Sequence, residues 1–355
     1  MIALFNSNLA WGGGEWWHFQ FASWLNRQGK PVVVFCDPQG KLYEKCQRES
    51  LQTQPVKIGN LSYLHLQKRN QLKKQFERFK VKHLIINGSA DLKLAGPVAK
   101  KANVARITYR RGLDKPVKQN RHNRWLLNQV VTDILSNTEA TKRALLGAPP
   151  ITDPSNIQVI YNPIDTERFR PSNSKKVSSS LILGAAGRLV EQKGFELLLG
   201  AMVQIEKQYP DVELHIAGTG PIEQDLQRQV VALGLQSVKF LGFVSDMPSF
   251  FQKLDVFVFP SRFEGFGFAL AEAMATGVPV VSFNVSSNPE LIDDQQTGFL
   301  VQAYDIEQFA RRVIDLLSDA DRRKQMGQFA RQVVVDRFSQ PVVERAWQAF
   351  LYNEE

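Results

Sequence analysis

Residues 256–272 read VFVFPSRFEGFGFALAE, an apolar strand followed by a glycine-rich turn and the start of a small-residue helix at about 267–276. Such a junction forms an anion site, because free backbone N–H groups and the helix dipole point the same way. Glu264 lies in the turn and Glu272 lies in the predicted helix. Their carboxylates can accept hydrogen bonds from sugar or ribose hydroxyl groups. The alternative is that both only complement the helix dipole.

A second junction of this kind occurs at residues 181–195, which read LILGAAGRLVEQKGF. Gly187 ends the strand, and Arg188 and Lys193 bracket the turn. Two cations at one turn suit a diphosphate, because Arg offers a planar fork of donors and Lys a movable point charge. Taken alone, such a pair is also typical of a solvated surface. Together with the acidic motif, it predicts a site for a sugar linked to a diphosphate.

These motifs resemble those of the retaining glycosyltransferases of family 4, which have the GT-B architecture. The matching residues run through 181–335 and are GRL at 187–189, KG at 193–194, AGTGP at 217–221, LGFV at 241–244, PS at 260–261, EGFG at 264–267, EA at 272–273, GVPVV at 277–281 and TGFLV at 297–301. In residues 1–165 the resemblance rests on the glycine-rich first loop and on YNPID at 161–165.

The resemblance implies an α/β chain of two doubly wound, Rossmann-like domains that face each other across a cleft. A length of 355 residues also favours two domains. We expect an acceptor-side domain at 1–168, a nucleotide-sugar donor domain at 181–338 and a C-terminal helix at 341–355 that packs back on the first domain. A polar, Ser-rich hinge lies at 170–180. Predicted strands are 2–5, 32–35, 83–86, 105–109, 133–136 and 158–161, then 181–186, 213–217, 238–241, 256–259 and 278–283.

The implied reaction is transfer of a sugar from a nucleotide-sugar donor to an acceptor glycan, with retention of configuration and without a metal or cofactor. Glu264, Arg188 and Lys193 are the predicted catalytic residues, with Glu264 on the donor sugar and the two cations on the leaving diphosphate. Glu272 would hold the ribose, and the backbone near 243–244 the base. The predicted donor-binding residues are Gly13, Gly14, Gly187, Arg188, Lys193, Gly218, Phe243, Val244, Glu264, Gly265, Phe266, Gly267, Phe268 and Glu272.

The first loop reads WGGGE at 11–15 and leads into an aromatic-rich helix. A dinucleotide-binding turn would require a third glycine at position 17, where Trp17 stands, so NAD is disfavoured. Many relatives carry a histidine after the fourth strand of the first domain, but residues 108–114 read TYRRGLD. This departure leaves the general base unassigned. The acceptor candidates are Arg110, Arg111, Asp114 and His18.

No metal site is predicted for this chain. The one Asp-x-Asp sequence, Asp319 to Asp321, is typical of a helix end followed by the N-cap of the next helix. Cys36 and Cys46 have no metal-ligand spacing and indicate reduced thiols. The opening run MIALF is too short for a signal peptide and predicts a first strand. No run of 18 apolar residues spans a membrane, so we expect a cytoplasmic protein.

The charge is divided unequally. Residues 1–170 hold 27 Lys and Arg against 12 Asp and Glu, a net +15, whereas residues 171–355 hold 17 against 23, a net −6. A basic half predicts an anionic partner: an acidic glycan, a lipid-linked acceptor or an anionic membrane. Nucleic acid is disfavoured, since no recognition signature for it is present. Residues 68–82 carry seven basic residues and predict a basic amphipathic helix for peripheral contact with the inner face of the cytoplasmic membrane. The alternative is a solvated helix packed on the core.

Three functions therefore remain open. The first is a glycosyltransferase of lipopolysaccharide or other cell-surface glycan synthesis. The second is a soluble glycosyltransferase that makes a small glycoside, with the basic half binding a phosphorylated acceptor. The third is a catalytically silent protein that binds sugar nucleotides.

Overall fold

A computed structural model describes residues 1–59, 61–172 and 180–352 of the chain. The chain divides into two compact units, Met1–Tyr161 and Asn162–Glu355, which we call unit 1 and unit 2. Most of the predicted hinge at 170–180 lies outside the described residues, because 173–179 are not among them. The last three residues of the predicted C-terminal helix, 353–355, also lie outside them.

Unit 1 is built on a parallel sheet. Within the described residues it has seven strands: β1 (Ile2–Asn6), β2 (Val32–Cys36), β3 (Thr53–Pro55), β4 (His83–Ile86), β5 (Arg106–Arg111), β6 (Asp133–Ser136) and β7 (Ile157–Val159). Their order is β3-β2-β1-β4-β5-β6-β7. The first strand therefore pairs with β2 on one side and β4 on the other. This reversal of strand order is the switch point of a doubly wound sheet.

Unit 2 repeats the arrangement with a second parallel sheet. Its described strands are β8 (Ile182–Ala186), β9 (Glu213–Ala217), β10 (Val238–Gly242), β11 (Val256–Phe259), β12 (Val280–Phe283) and β13 (Gly298–Val301). Their order is β10-β9-β8-β11-β12-β13, so the switch point lies between β8 and β11. Both junctions singled out in the sequence therefore follow adjacent central strands.

Helices follow the strands in both units. In unit 1 they are α1 (Gly13–Arg27), α2 (Lys41–Arg48), α3 (Leu66–Arg78), α4 (Ser89–Lys101), α5 (Arg121–Trp125) and α6 (Glu139–Leu146). In unit 2 they are α7 (Phe195–Gln208), α8 (Glu223–Leu233), α9 (Met247–Phe251), α10 (Phe268–Ala275), α11 (Asn288–Leu291), α12 (Ile306–Ser318), α13 (Ala320–Phe338) and α14 (Gln340–Tyr352). Within the described residues, none of the helices is long and apolar enough to cross a membrane.

The central strands are almost entirely buried. All five residues of β2 and all four of β11 are buried, as expected for parallel strands covered by helices on both faces. Two strands, β3 and β13, are missing from the sequence-based prediction. The β3 sequence, Thr-Gln-Pro, has no apolar run because this edge strand is only partly buried. Strand β13 begins with a glycine that a side chain could not replace, since a Cβ there would crowd Val280.

Strand β5 is longer than predicted and ends at Arg111 rather than at residue 109. Arg110 and Arg111 are therefore strand residues, and both are buried. The predicted basic amphipathic helix corresponds to α3, whose apolar residues Leu72 and Phe76 lie in the core of unit 1. The ring of Phe76 meets that of Phe35 with 5.4 Å between centroids. Helix α3 is thus packed on the core by its apolar side.

Helices α13 and α14 are the last two helices of unit 2. Asp319 caps α13, where its side chain accepts a hydrogen bond of 2.8 Å from the Arg322 amide, as the sequence predicts. In α14, Val343, Trp347 and Phe350 are buried. The expectation that this helix packs on the first domain stays a prediction.

Candidate functional site

The candidate site lies at the carboxyl ends of β8 and β11 in unit 2. The turn after β8 runs from Gly187 to Gly194, and the turn after β11 runs from Pro260 to Gly267. In open parallel sheets, ligands bind outside the carboxyl ends of the strands at the switch point. The tertiary structure therefore brings together two motifs that are separated by about seventy residues of sequence, within the same unit.

Glycines allow the turns at this edge to approach closely. Gly218, which follows β9, has φ +143°, and a Cβ on it would overlap the Gly187 carbonyl oxygen. Gly194 has φ +64°, and a Cβ on it would overlap the Pro260 carbonyl oxygen. Any side chain at either position would push two turns apart. The sequence signal for this packing is the glycine itself, in a conformation that other residues rarely adopt.

Lys193 and Glu264 form an ion pair across the two turns. The Lys193 ammonium lies 2.5 Å from a Glu264 carboxylate oxygen, and both side chains are largely buried. The ammonium also lies 5.5 Å from the centre of the Phe259 ring. In contrast, Arg188 is exposed, and its side chain has no ion pair or hydrogen bond within the described residues. The turn after β8 therefore offers one cation already paired and one available to an anion.

Two residues that the sequence reasoning did not select hold these turns in register. The Gln192 amide group donates to the Phe263 carbonyl at 2.9 Å, and the Arg262 backbone N–H donates to the Gln192 carbonyl at 2.8 Å. The Arg262 guanidinium also pairs with Glu196 at 2.6 Å. Residues 192 and 262 stood in the two quoted motifs, but a contact between motifs is not visible in either of them.

Glu272 lies on α10, partly buried, and its side chain makes no hydrogen bond within the described residues. Burial raises the pKa of this carboxyl to about 8, and the Arg168 charge opposes the shift. At neutral pH the side chain is therefore mostly protonated in the absence of a ligand. A carboxyl in this state can both donate and accept hydrogen bonds.

The residues between the two glutamates have different environments. Gly267 is the N-cap of α10 and has φ +87°, in the left-handed region. The partly buried Phe268 is the first residue of α10, whose first-turn N–H groups have no partner within the helix. Phe266 is buried, and its ring meets those of Phe268 and Phe338 at 5.3 and 5.8 Å. The Phe266 side chain therefore belongs to the core, next to a partly buried Gly265.

The remaining predicted donor residues of unit 2 lie on the other side of β8. The Gly218 amide donates to the Gly242 carbonyl at 2.7 Å, so the turns after β9 and β10 adjoin. Phe243 follows directly and is 82% exposed, beside a partly buried Val244. An aromatic ring with so little cover at the carboxyl edge of a sheet offers a surface on which a base can stack.

In unit 1, the predicted donor residues Gly13 and Gly14 form the start of α1 after β1. A Cβ on Gly14 would crowd the Asn87 amide, so this glycine allows the turns after β1 and β4 to meet. Glu15 is buried and accepts hydrogen bonds from Asn6 and Asn8 at 3.1 and 3.0 Å. The switch point of unit 1 is therefore filled by a polar network.

Arg110 and His18 belong to this network. The Arg110 guanidinium donates to Asn87 at 2.9 Å and lies 4.6 Å from the centre of the Trp17 ring. Burial lowers the pKa of Arg110 to about 9, opposed by the Glu15 charge. Burial and the Arg110 charge lower the pKa of His18 to about 3, and its Nδ1 lies 3.0 Å from the Gly14 carbonyl oxygen. Both side chains are fully enclosed, which argues against the acceptor contact predicted for them.

Arg111 lines a separate cavity of about 280 Å³ within unit 1. Its guanidinium donates to the Lys115 carbonyl at 2.7 Å, while its buried Nε has no partner. Lys93 and Lys118 also line the cavity, together with Ser89 at the start of α4. The remaining lining residues are Leu92, Tyr109, Pro116, Val117, Asn123, Leu126 and Leu127. The fourth acceptor candidate, Asp114, is partly exposed beyond β5 and is not among them.

Comparison with known proteins identifies the family. The family model described as Glycosyltransferase Family 4 matches residues 11–168, and that described as Glycosyl transferases group 1 matches residues 165–333. The chain belongs to glycosyltransferase family 4. Among relatives of this family 4 chain, the lipopolysaccharide core biosynthesis mannosyltransferase LpsB of Rhizobium meliloti is 34% identical over 180 residues. That alignment covers 46% of the chain and 51% of LpsB.

A capsular polysaccharide biosynthesis glycosyltransferase, CapM of Staphylococcus aureus, is 28% identical over 63% of each chain. The family 4 chain thus spans about half to two thirds of the length of these curated relatives. Among solved structures, HepE of Anabaena in complex with UDP superposes with a TM-score of 0.88 at 21% identity and covers 99% of both chains. This likeness confirms the predicted GT-B fold.

Proposed function

We propose that this protein is a retaining glycosyltransferase that moves a sugar from a nucleotide-sugar donor to an anionic or lipid-linked acceptor in the synthesis of lipopolysaccharide or another cell-surface glycan. The observation that carries the proposal is the cluster at the switch point of unit 2. There the exposed Arg188 stands beside the ion pair of Lys193 and Glu264. Membership of family 4 and the names of LpsB and CapM support the same class of activity.

The cluster suits a sugar linked to a diphosphate. Transfer with retention passes through an oxocarbenium-like state in which negative charge grows on the departing phosphate. The Arg188 fork and the Lys193 ammonium are positioned at one turn to stabilise that charge, and the proposal requires no metal for this step. The N–H groups at the start of α10 would add to it.

The acidic residues would orient the donor. In this proposal Glu264, held by Lys193, accepts hydrogen bonds from the donor sugar, and Glu272 binds the ribose hydroxyls. Phe243 and the Val244 backbone would meet the base, with Gly187, Gly218 and Gly267 letting backbone approach the phosphates. Gly13 and Gly14 of unit 1 stay predicted donor contacts.

The cavity beside Arg111 supports an anionic acceptor. It combines three cations, Arg111, Lys93 and Lys118, with an apolar wall that includes Leu92 and Leu126. A buried Arg Nε without a partner favours an anion there, because an unsatisfied buried donor is costly. A phosphate or carboxylate on the acceptor would satisfy it. The net +15 of residues 1–170 supports the same anionic partner and, with it, a cytoplasmic protein in peripheral contact with an anionic membrane.

The test begins with the donor. Thermal-shift titration with UDP-, GDP- and ADP-sugars should give stabilisation with one base, and the stabilising nucleotide sugar should then be consumed in a transfer assay. Analysis of the anomeric configuration of the product should show retention. Binding without transfer or hydrolysis, across acceptors that include lipid-linked glycans, would instead support a catalytically silent binding protein. Inversion of configuration would contradict the mechanism.

A further inference from the structure

The basic helix α3 cannot place an apolar face in a bilayer, since Leu72 and Phe76 are buried in the core of unit 1. The exposed leucines of this region lie immediately before α3 and at its first residue. Leu61, Leu64 and Leu66 are 62, 61 and 70% exposed. Three large apolar side chains within six residues form a patch that folding leaves in water, and such patches mark interaction sites.

A second segment completes the patch. Trp125, at the end of α5, is 43% exposed. Ring contacts connect Trp125 to the leucine segment. The ring centroids of Tyr63 and His122 are 6.2 Å apart, and those of His122 and Trp125 are 5.9 Å apart. We call Leu61, Leu64, Leu66 and Trp125 the leucine–tryptophan surface. Its two halves are distant in sequence but adjacent in unit 1.

Cations surround this surface. Residues 56–69 contain three Lys and Arg and no Asp or Glu, and residues 115–125 contain four and none. Lys57, Lys68, Arg121 and Arg124 are exposed. The charge is thus concentrated in the same two segments that carry the exposed apolar side chains. Protein–protein interfaces are depleted in lysine, whereas apolar side chains bordered by Lys and Arg are typical of surfaces that bind anionic membranes.

We propose that the leucine–tryptophan surface docks unit 1 on an anionic lipid bilayer. The leucines and Trp125 enter the interfacial layer, and the surrounding Lys and Arg residues contact lipid phosphates. This inference rests on the membrane contact in the proposed function. It moves that contact from the basic residues along α3 to residues 61–66, which end at the first residue of α3, and to α5. The same segment, 115–125, lines the candidate acceptor cavity through Lys118 and Asn123. A lipid-borne acceptor would therefore meet the cavity beside the bilayer.

The test uses the full chain with vesicles of phosphatidylglycerol and phosphatidylcholine, or of phosphatidylcholine alone, at low and high salt. A triple variant, Leu61→Ser, Leu64→Ser and Leu66→Ser, should lose about tenfold in partition to the anionic vesicles, because less apolar surface is buried there. The matched control is Val203→Ser, Val231→Ser and Leu233→Ser, three exposed apolar residues of unit 2. It should partition like the wild type. Trp125→Phe should reduce quenching of tryptophan fluorescence by brominated lipid.

Each outcome decides between the claims. Wild-type binding to the anionic vesicles by both the leucine variant and the control would overturn the leucine–tryptophan surface. The proposal would also be overturned if replacing Lys73, Lys74, Arg78 and Lys82 by Ala reduced vesicle binding more than the leucine variant does. That result would assign membrane attachment to α3. A wild-type protein that ignores all vesicles yet transfers sugar to a water-soluble acceptor would overturn membrane contact and leave the glycosyltransferase proposal intact. Intact donor binding by the leucine variant separates lost docking from misfolding.

Discussion

The switch points of the two sheets carry similar polar residues in opposite states. In unit 1, Arg110 is enclosed and hydrogen-bonded to Asn87, beside a buried Glu15. In unit 2, Arg188 is exposed without a side-chain partner in the described part of the chain, beside the pair of Lys193 and Glu264. The same strand order thus surrounds an enclosed polar network in one unit and an exposed, unpaired arginine in the other.

This difference teaches that the fold only provides the place for a site. The turns at a switch point carry polar side chains in both units. The connections from the two adjacent strands leave toward opposite faces of the sheet there and open a crevice. What allows a ligand to bind is a group left without a partner, since buried groups that already satisfy one another gain little from a ligand. By this criterion Arg188 is an open cation at the switch point of unit 2. In unit 1, Arg111 Nε is an unpaired donor of a cation that lines a cavity.

The largest expected effect comes from the two cations of the turn after β8 in unit 2, the exposed Arg188 and the paired Lys193. Arg188→Ala and Lys193→Ala should each lower kcat by about 10²–10³ and weaken nucleotide binding, because charge developing on the leaving phosphate loses its partner. The measurements are steady-state rates and nucleotide titration. Arg228→Ala, which removes an exposed arginine of α8, is the matched control and should leave both unchanged. Turnover close to wild type in both site variants would remove these residues from the reaction.

Next comes the closed network of unit 1. Arg110→Met should lower the free energy of unfolding by about 1–3 kcal/mol, since Asn87 and the buried Glu15 carboxylate lose a charged neighbour. Nucleotide binding in unit 2 should not change. Chemical unfolding is the measurement, and Arg124→Met, at an exposed arginine of the same unit, is the control. Unaltered stability with lost transfer to the acceptor would restore the acceptor contact that the sequence predicted for Arg110.

The acceptor cavity should show a smaller effect. Lys93→Ala or Lys118→Ala should lower kcat/KM for an anionic acceptor by about tenfold, the loss of roughly one charge-assisted hydrogen bond, while donor hydrolysis stays constant. Lys101→Ala, at the other end of α4, is the control because it does not line the cavity. Equal losses in hydrolysis and transfer would show that the cavity acts on the fold or the donor rather than on the acceptor.

The smallest effect concerns Glu272, whose pKa is about 8. If ribose hydroxyls bind the ionised carboxyl, nucleotide affinity should rise roughly fivefold from pH 7 to pH 8 and level off above it, because binding releases a proton below that pKa. Glu272→Gln should lose this slope. Any pH dependence that remains in this variant measures the titration of the nucleotide's own phosphates. Glu264→Gln should keep the slope and instead lower turnover. An identical slope in wild type and Glu272→Gln would exclude Glu272 as the titrating contact.

The same carboxyl has a defined effect on stability. Its pKa is raised from 4.5 in the unfolded chain to about 8 in the folded one, so between these values the folded state holds a proton that the unfolded state has lost. Stability should therefore fall as pH rises through this interval, and Glu272→Gln should remove that part of the decline. The difference in melting temperature between the two proteins at pH 5 and pH 8 measures it.

The sequence alone determined the family, the two-unit α/β architecture and the residues of the donor motifs. These depend on local properties: apolar runs predict buried parallel strands, and glycines at strand ends predict turns, because both follow from the backbone. Short or polar elements such as β3 were not predicted from the sequence, because an edge strand that is held by pairing needs no apolar run. The carboxyl end of β5 was not predicted either, because two arginines do not indicate a buried strand.

Only the tertiary structure decided which charged residues are open. Arg110, Arg111 and Arg188 are the same residue type in turn-adjacent positions, yet the first is enclosed, the second lines a cavity and the third is exposed. Leu72 and Leu66 likewise belong to one helix, but one is buried and the other lies in water. Burial and pairing depend on partners far along the chain, so no local pattern specifies them, and it is these contacts that decide which groups remain free to bind a ligand.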